Sequence, residues 1–423
     1  MDVNDIALDA LADQRIDWRF KGFPARFDGL TVRDLVRARP ALGELSTPLM
    51  YLDGDAVAHN LATMAGFCRD HGVDLAPHAK TTMAPQLIAR QLEAGAWGVT
   101  AATIAHTRAY RAFGVPTIML ANEVIDPDAL TWIAEEMRRD PSFRLLCFAD
   151  SADGVAMMQS ALEEARAARP VDVILDLGRA GGRTGVRTLD DAEAVARVVH
   201  AASTLRLVGA GGFEGVFAGD RSDAGLDVIR DWLRTLVELI RRLDAAGLFE
   251  QTDEVIATAG GSAYFDDVVT ALTAIGDLSK PVRVVLRSGA YIAHDDAHYR
   301  VLTPLPADDG FHAALRIRGR VLSRPEPGLA LLDFGKRDAP ADLGLPVPLW
   351  ITRPSGDRDD ITGSTIKSLA DQHAFLEFDE SMPVFVGDVV TCGISHPCTA
   401  FDKWQLIPVI EEDRVTDIVR TFF

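Results

Sequence analysis

The stretch Ala76-Pro77-His78-Ala79-Lys80-Thr81-Thr82-Met83 joins the end of a strand to the approach of a helix, with a lysine between them. A strand-like run from Val73 to Ala79 delivers Lys80 to its C-terminal end. A helical pattern begins near Met83 and continues through Leu87, Ile88 and Leu92. An ammonium at the end of a buried parallel strand is costly to desolvate. Burial therefore favours the neutral amine, the form that works as a nucleophile and proton carrier. The plainer alternative is a lysine whose stem lies along a loop edge with its head in water.

Outward from that stretch the alternation is regular. Strand-like runs fall near 73–79, 98–103, 117–121, 143–150, 172–178, 206–212, 254–259 and 282–287. Helical patterns fall near 83–95, 104–112, 127–138, 152–167, 189–203, 224–245 and 264–274. Short apolar strands separated by helices predict a closed parallel (β/α)8 barrel, with an open doubly wound sheet as the alternative. Upstream, Thr47 to Asp53 reads as one more strand, and Asp55 as the N-cap of a helix with Val57, Leu61 and Met64 on its apolar face. Residues 1–46 do not repeat the pattern and read as an extension packed on another domain. The barrel is expected over 47–302. Beyond it, alternation at Ala314–Leu322 and Phe375–Phe378, with prolines between, predicts a mainly antiparallel β domain over 303–423. The boundary falls near Thr303–Gly310.

The bulk numbers narrow the classes. A chain of 423 residues that is 48% hydrophobic buries a large core and is not disordered. A net charge of −19 argues against nucleic acid or an anionic membrane as the main partner. Cys68, Cys147, Cys392 and Cys398 lack the spacing of a disulfide framework, which fits a reduced, cytoplasmic setting. Cys68 and Cys147 read as buried packing residues. The acidic start, Met1 to Asp5, lacks the basic flank and apolar run of a signal peptide. No apolar run reaches the roughly 18 residues that span a membrane, so a soluble protein is expected.

Active sites of parallel barrels gather at the C-terminal strand ends. There the sequence offers Lys80, Asn122, Asp150, Asp176, Glu214, Gly260-Gly261-Ser262 and Arg287-Ser288-Gly289-Ala290-Tyr291. Glycines let backbone approach a ligand, and successive free N–H groups cradle an anion. The last two clusters thus read as a phosphate cup, or else as two ordinary tight turns. Neither holds a G-x-G-x-x-G or Walker A pattern, which removes support for dinucleotides and nucleoside triphosphates. Arg183 reads as a ligand for an acidic group or as a surface-loop arginine. Near the far end, Ser395-His396-Pro397-Cys398 sets imidazole and thiol two apart, on one face if the segment is extended. That pair suits a divalent ion, zinc above all, with its other positions left to water or substrate; chance pairing in a core strand is the alternative.

Taken together, these pieces resemble the fold-type III pyridoxal-phosphate enzymes of the D-threonine aldolase / D-serine dehydratase family. The matching segments are Pro77 to Thr81, Asp176 with Arg183 to Val186, Phe213 to Gly215, Gly260 to Ser262, Arg287 to Tyr291, and His396 to Cys398. The likeness runs in collinear order from about Thr47 to Asp402. The resemblance implies an alanine racemase-like barrel plus a β domain, a homodimer, and an active site at the domain and subunit boundary. It implies pyridoxal 5'-phosphate on Lys80 as a Schiff base, with His78 beside it. The phosphate would lie on Gly260, Gly261, Ser262, Ser288, Gly289, Ala290 and Tyr291, and Arg183 would contact the ring or its phenolic oxygen. His396 and Cys398 would hold the metal, zinc first, with manganese and magnesium as alternatives.

Within the family, aldolases carry His-x-Asp and dehydratases His-x-Cys, so the resemblance points to a D-serine/D-threonine-type dehydratase acting on a small D-amino acid. It would release a 2-oxo acid and ammonia. The rival is a metal-dependent D-threonine aldolase, giving glycine and an aldehyde. A two-base racemase of this fold needs a tyrosine from the second domain, and no tyrosine follows Tyr299. A non-catalytic pyridoxal-phosphate binder is the reading from another class; retention of Lys80 with His396 and Cys398 argues against it.

Overall fold

The structure, a computed structural model, describes residues 5–306 and 309–423. Residues 1–4, read above for a targeting signal, and 307–308, inside the expected domain boundary, lie outside the described residues. In chain order the strands are β1 (Leu49–Asp53), β2 (Asp74–Leu75), β3 (Val99–Ala101), β4 (Thr117–Glu123), β5 (Arg144–Ala149), β6 (Val171–Asp176), β7 (Leu205–Gly211), β8 (Val255–Ala259) and β9 (Val282–Leu286). They continue as β10 (Leu315–Glu326), β11 (Leu329–Leu332), β12 (Val347–Thr352), β13 (Arg358–Asp360), β14 (Thr365–Leu369), β15 (Ala374–Glu377), β16 (Val389–Gly393), β17 (Leu406–Glu411) and β18 (Arg414–Arg420). The described chain forms two compact units, one of residues 65–80 and 91–289, the other of 5–64, 81–90 and 290–423.

The first unit is the expected parallel barrel. Its strands run β2-β9-β8-β7-β6-β5-β4-β3, each parallel to its neighbour. The seam between β2 and β3 is drawn together by Trp97 N–H to Leu75 O (2.8 Å), Thr100 N–H to Pro77 O (2.9 Å) and a bridge between His78 and Thr100. The strand expected over 73–79 is shorter than its apolar run. Pro77 has no N–H for a ladder, and Ala79–Thr81 is already a 3-10 turn. Met119, Leu146, Phe148, Ile174, Val208, Ile256 and Val285, from β4 to β9, pack into one apolar cluster with Ala76. At roughly 25 cal/mol per Å² of apolar surface, each such side chain contributes about 1.5–3 kcal/mol.

Helices between the strands follow their periodicity. In Asp223–Ala245 the buried residues Ile229, Trp232, Leu233, Leu236, Leu239, Ile240 and Leu243 recur at three- and four-residue spacing, and Ser222 caps the N-terminus through Gly225 N–H. Pro127–Arg139 starts on the Asp126 cap with proline at its first position, where no N–H is missed.

In the second unit the strands run β13-β12-β16-β10-β1-β17-β18, and β11, β15 and β14 extend from β10. The pairings are antiparallel, as expected, apart from β1, which is parallel to β17 while antiparallel to β10. Ile16, Phe20, Phe23, Val32 and Leu35 pack with Leu49 and Tyr51 of β1 and with Leu406 and Ile418 of β17 and β18. The helix after β1 spans Gly54–His71, and its cap is Asp53, not Asp55: Asp53 Oδ1 accepts the Ala56 N–H at 3.0 Å. Asp55 lies within the first turn, where an acidic side chain complements the helix dipole. All four cysteines are free, three of them buried and Cys398 half-buried. Among the described residues no helix is long and apolar enough to cross a membrane.

Candidate active site

Lys80 is half-buried on the Ala79–Thr81 turn, beyond the short β2. Its charge bears on two imidazoles, His78 and His106. Burial first, and then Lys80, hold His78 well below the ordinary imidazole range, so its ring is neutral at pH 7. On the neighbouring strand end, after β9, Arg287 O accepts the His78 N–H (3.1 Å), and the Arg287 side chain is buried, with its guanidinium 5.1 Å from the centre of the Phe148 ring and Nη2 donating to Gly212 O. Burial pulls its pKa down to about 10, although Glu214 and Asp176 act the other way. Among the described residues, His78 Nδ1 and Arg287 Nη1 have no hydrogen-bond partner.

Carboxylates stand among these cations. Glu123, at the end of β4, is pushed up to about 7 by burial and then by Asp176, and its Oε1 is likewise unpartnered among the described residues. Asp176 is raised by burial against a hydrogen bond from Thr184. Arg183 is exposed, with its guanidinium 5.0 Å from the Phe213 ring centre, and it acts electrostatically on Glu123, Asp176, His78 and Arg287.

The two glycine-rich turns do follow the last two barrel strands and are tied together. Ser288 Oγ donates to Gly260 O (3.2 Å) and Gly261 O (3.0 Å), and Arg287 N–H reaches Gly260 O (3.3 Å). Their small residues have a reason that sequence reading missed. Glu214, fully buried, accepts Gly260 N–H on Oε2 (3.1 Å) and Gly261 N–H on Oε1 (2.6 Å). A Cβ on Gly261 would lie 2.7 Å from the Phe213 ring, and one on Gly289 would overlap the His78 carbonyl. These glycines admit the protein's own groups, and two amides read as part of the anion cup are committed to Glu214. Ala290 and Tyr291 form a buried 3-10 turn of the second unit, where Tyr291 packs beside Phe311.

Residues 52–304 match the alanine racemase N-terminal domain family. The chain belongs to that family of fold-type III pyridoxal-phosphate enzymes. In this family member residues 314–410 also match the "Putative serine dehydratase domain" family. The D-threonine aldolase of an Arthrobacter species is 25% identical over 381 residues, which cover 89% of this chain and 92% of that protein. The D-threo-3-hydroxyaspartate dehydratase of Delftia sp. strain HT23 is 27% identical over 305 residues, covering 71% and 74%. The crystal structure of D-threonine aldolase from Filomicrobium marinum superposes with a TM-score of 0.74 at 25% identity, covering 90% of this chain and 96% of that one. The family's cofactor fits the residues present. An amine stands at the barrel mouth, and one guanidinium nitrogen, Arg287 Nη1, and one imidazole nitrogen, His78 Nδ1, are buried without a partner among the described residues, as sites for an anionic, polar ring compound would be.

In the second unit the His396 segment does not meet the condition, an extended run, under which imidazole and thiol would share one face by alternation. His396 is extended, but Pro397–Thr399 forms a 3-10 turn because proline starts a turn more readily than it extends a ladder. Imidazole and thiol still meet. Burial lowers the His396 pKa, but hydrogen bonds to Cys398 and Asp342 outweigh it and push it to about 9. His396 Nδ1 lies 2.7 Å from Asp342 Oδ2, and Thr399 Oγ1 donates to Asp342 Oδ1 (2.8 Å). Cys398 Sγ lies 3.3 Å from Thr81 Oγ1. With Nδ1 held by a carboxylate, Nε2 is the nitrogen left for a metal. Among the described residues no three His, Cys, Asp or Glu side chains form a metal-binding group. The His396 and Cys398 donors therefore fit an ion with open positions rather than a closed structural site.

Proposed function

We propose that the chain is a pyridoxal-phosphate- and divalent-metal-dependent lyase acting on D-3-hydroxy amino acids, working as a dehydratase that releases a 2-oxo acid and ammonia. The observation that carries the reading is the Lys80 amine at a barrel mouth whose buried donors, His78 Nδ1 and Arg287 Nη1, have no partner among the described residues. When bound, the cofactor would spread the negative charge left at the substrate Cα, and a metal on His396 and Cys398 would supply Lewis acidity. Lys80 Nζ takes the Cα proton. Arg287 Nη1 would donate to the cofactor, and His78, neutral, would offer Nδ1 without adding a charge. Arg183, exposed over Phe213, is placed to meet an acidic group of cofactor or substrate. Glu214 fixes the turn Gly260-Gly261, which would leave Ser262, Ser288 and Gly289 as a preorganised rim.

The His-x-Cys pair supports dehydration, whereas likeness to D-threonine aldolases supports carbon–carbon cleavage as the second reading. Incubation with D-serine, D-threonine and D-3-hydroxyaspartate, with both products assayed, separates them. Ammonia and 2-oxo acid are expected, lost on chelation and restored by zinc. Aldehyde with glycine would transfer the assignment to the aldolase. Neither product from any substrate, with cofactor bound, would leave a binding protein.

A further inference from the structure

The extension before β1 contributes one charge to Asp338, four residues before the Asp342 that meets His396. Lys21 Nζ lies 2.8 Å from Asp338 Oδ1, donates to Arg337 O at 3.2 Å, and stands 4.0 Å from the centre of the Trp404 ring. The Asp338 side chain is 1% exposed, so its charge is paired in a dry place, with Gly335 N–H (3.1 Å) and Gln372 Nε2 (3.0 Å) on its other oxygen. Asp338 O accepts the indole N–H of Trp404 at 2.8 Å. Four residues on, Asp342 accepts from Thr399 and meets His396.

Two segments, 338–342 and 396–404, are therefore joined at both ends. Asp342 holds one end through His396 and Thr399, and Asp338 with Trp404 holds the other. Asp342 itself is 45% exposed, so solvent does nothing to fix where its carboxylate stands. The buried run Asp338-Ala339-Pro340 fixes it, and that run depends on a neutralised Asp338. Without the ammonium, a carboxylate stays buried against two neutral donors, which is costly enough to open the turn around it.

We propose that Lys21 is a positioning residue for the His396–Cys398 metal pair, acting through Asp338 and Trp404 on Asp342. The extension thus sets the geometry of a metal site more than 370 residues downstream in the chain. This rests on the metal reading of His396 and Cys398 given above.

The test is zinc affinity of the holoenzyme by chelator competition, together with the absorption spectrum of the cobalt-substituted protein. Lys21→Met keeps the aliphatic stem over the indole and removes the charge. It is expected to weaken zinc binding by about 10–100-fold, the range for groups that orient metal ligands. The cobalt bands should change while cofactor absorbance stays as in the wild type, and Lys21→Arg should recover most of the affinity. In metal-free protein, amide exchange over 396–404 should be faster in Lys21→Met. If wild-type protein binds zinc and Lys21→Met binds it as tightly, with unchanged exchange, the brace is overturned while the metal reading stands. If wild-type protein takes up neither zinc nor cobalt, the metal reading falls and this proposal falls with it.

Discussion

At the N-terminal ends of its strands the barrel carries a chain of alternating charges, whereas at the C-terminal ends it leaves charged and polar atoms without partners. Below, Asp74 pairs with Arg283, and Arg283 with Glu254 (2.7 Å). Glu254 pairs with Arg144 (2.9 Å), Arg144 with Asp172 (2.9 Å) and Asp172 with Arg206 (2.6 Å). Trp97 lies between Arg144 and Arg283, its ring centre 5.5 and 5.7 Å from their guanidinium carbons. Above, His78 Nδ1, Glu123 Oε1 and Arg287 Nη1 are buried and unpaired among the described residues. The pKa shifts differ accordingly. Burial would raise Glu254, but its arginines outweigh that and lower it, whereas burial prevails at Glu123 and Asp176 and raises both. At the N-terminal end the six charges of the chain are paired, although Arg169 Nε and Thr204 Oγ1 beside them are also buried without a partner among the described residues. At the C-terminal end the unpartnered atoms belong to ionisable side chains, the kind of group that clusters at binding sites.

The contrast breaks most visibly at Lys80. Lys80→Ala is expected to abolish covalent cofactor attachment and to cut turnover by at least about 10²–10⁴-fold, the usual contribution of a positioned acid–base group. Visible absorbance and product release measure the two effects. A variant that still binds the cofactor covalently removes Lys80 from the reading.

At the opposite end, Asp172→Ala strands Arg206 and leaves Arg144 with Glu254 alone, and it should cost about 3 kcal/mol, the low end for a broken buried pair because both arginines are partly exposed. Urea unfolding reports the loss, and turnover per folded molecule should not change. Unaltered stability with reduced turnover would erase the division of labour between the two ends.

The smallest effect is a pH slope. Glu123 has its folded pKa raised from the ordinary 4.5 to about 7, so the folded state holds its proton more tightly than the unfolded chain does. Its contribution to stability is therefore complete below 4.5 and disappears as pH rises through about 7. Asp176 acts in the same direction. Melting temperature measured across that window should fall more steeply in the wild type than in Glu123→Gln, and parallel curves would contradict the burial of that charge.

How much of this was legible in the sequence depends on how far apart the partners lie. Local periodicity placed the barrel's strands and helices to within a few residues, because burial of an apolar face repeats every two or 3.6 positions. It also put Lys80 and the two glycine turns just beyond C-terminal strand ends, where the structure has them. Long-range partners were invisible. Nothing near Asp74 announces Arg283, and nothing near Gly260 announces that Glu214 occupies its amide. Asp342, the carboxylate on His396, sits in a loop with no periodic signal. The Asp55 cap failed because two acidic residues flank the helix start, and only geometry tells which side chain folds back on the free N–H groups.

β1 has its ladder partners at residues 315–318 and 409–410. During synthesis on a ribosome, Leu49–Asp53 emerges hundreds of residues before either neighbour exists. Ile16, Phe20 and Leu35, which pack with its side chains in the finished protein, are made before it, but both of its backbone edges stay without a ladder partner until residues 315–318 have been made. The sheet of the second unit therefore closes around β1 only after more than 260 further residues have been made, and until then the nascent chain carries an unpaired strand.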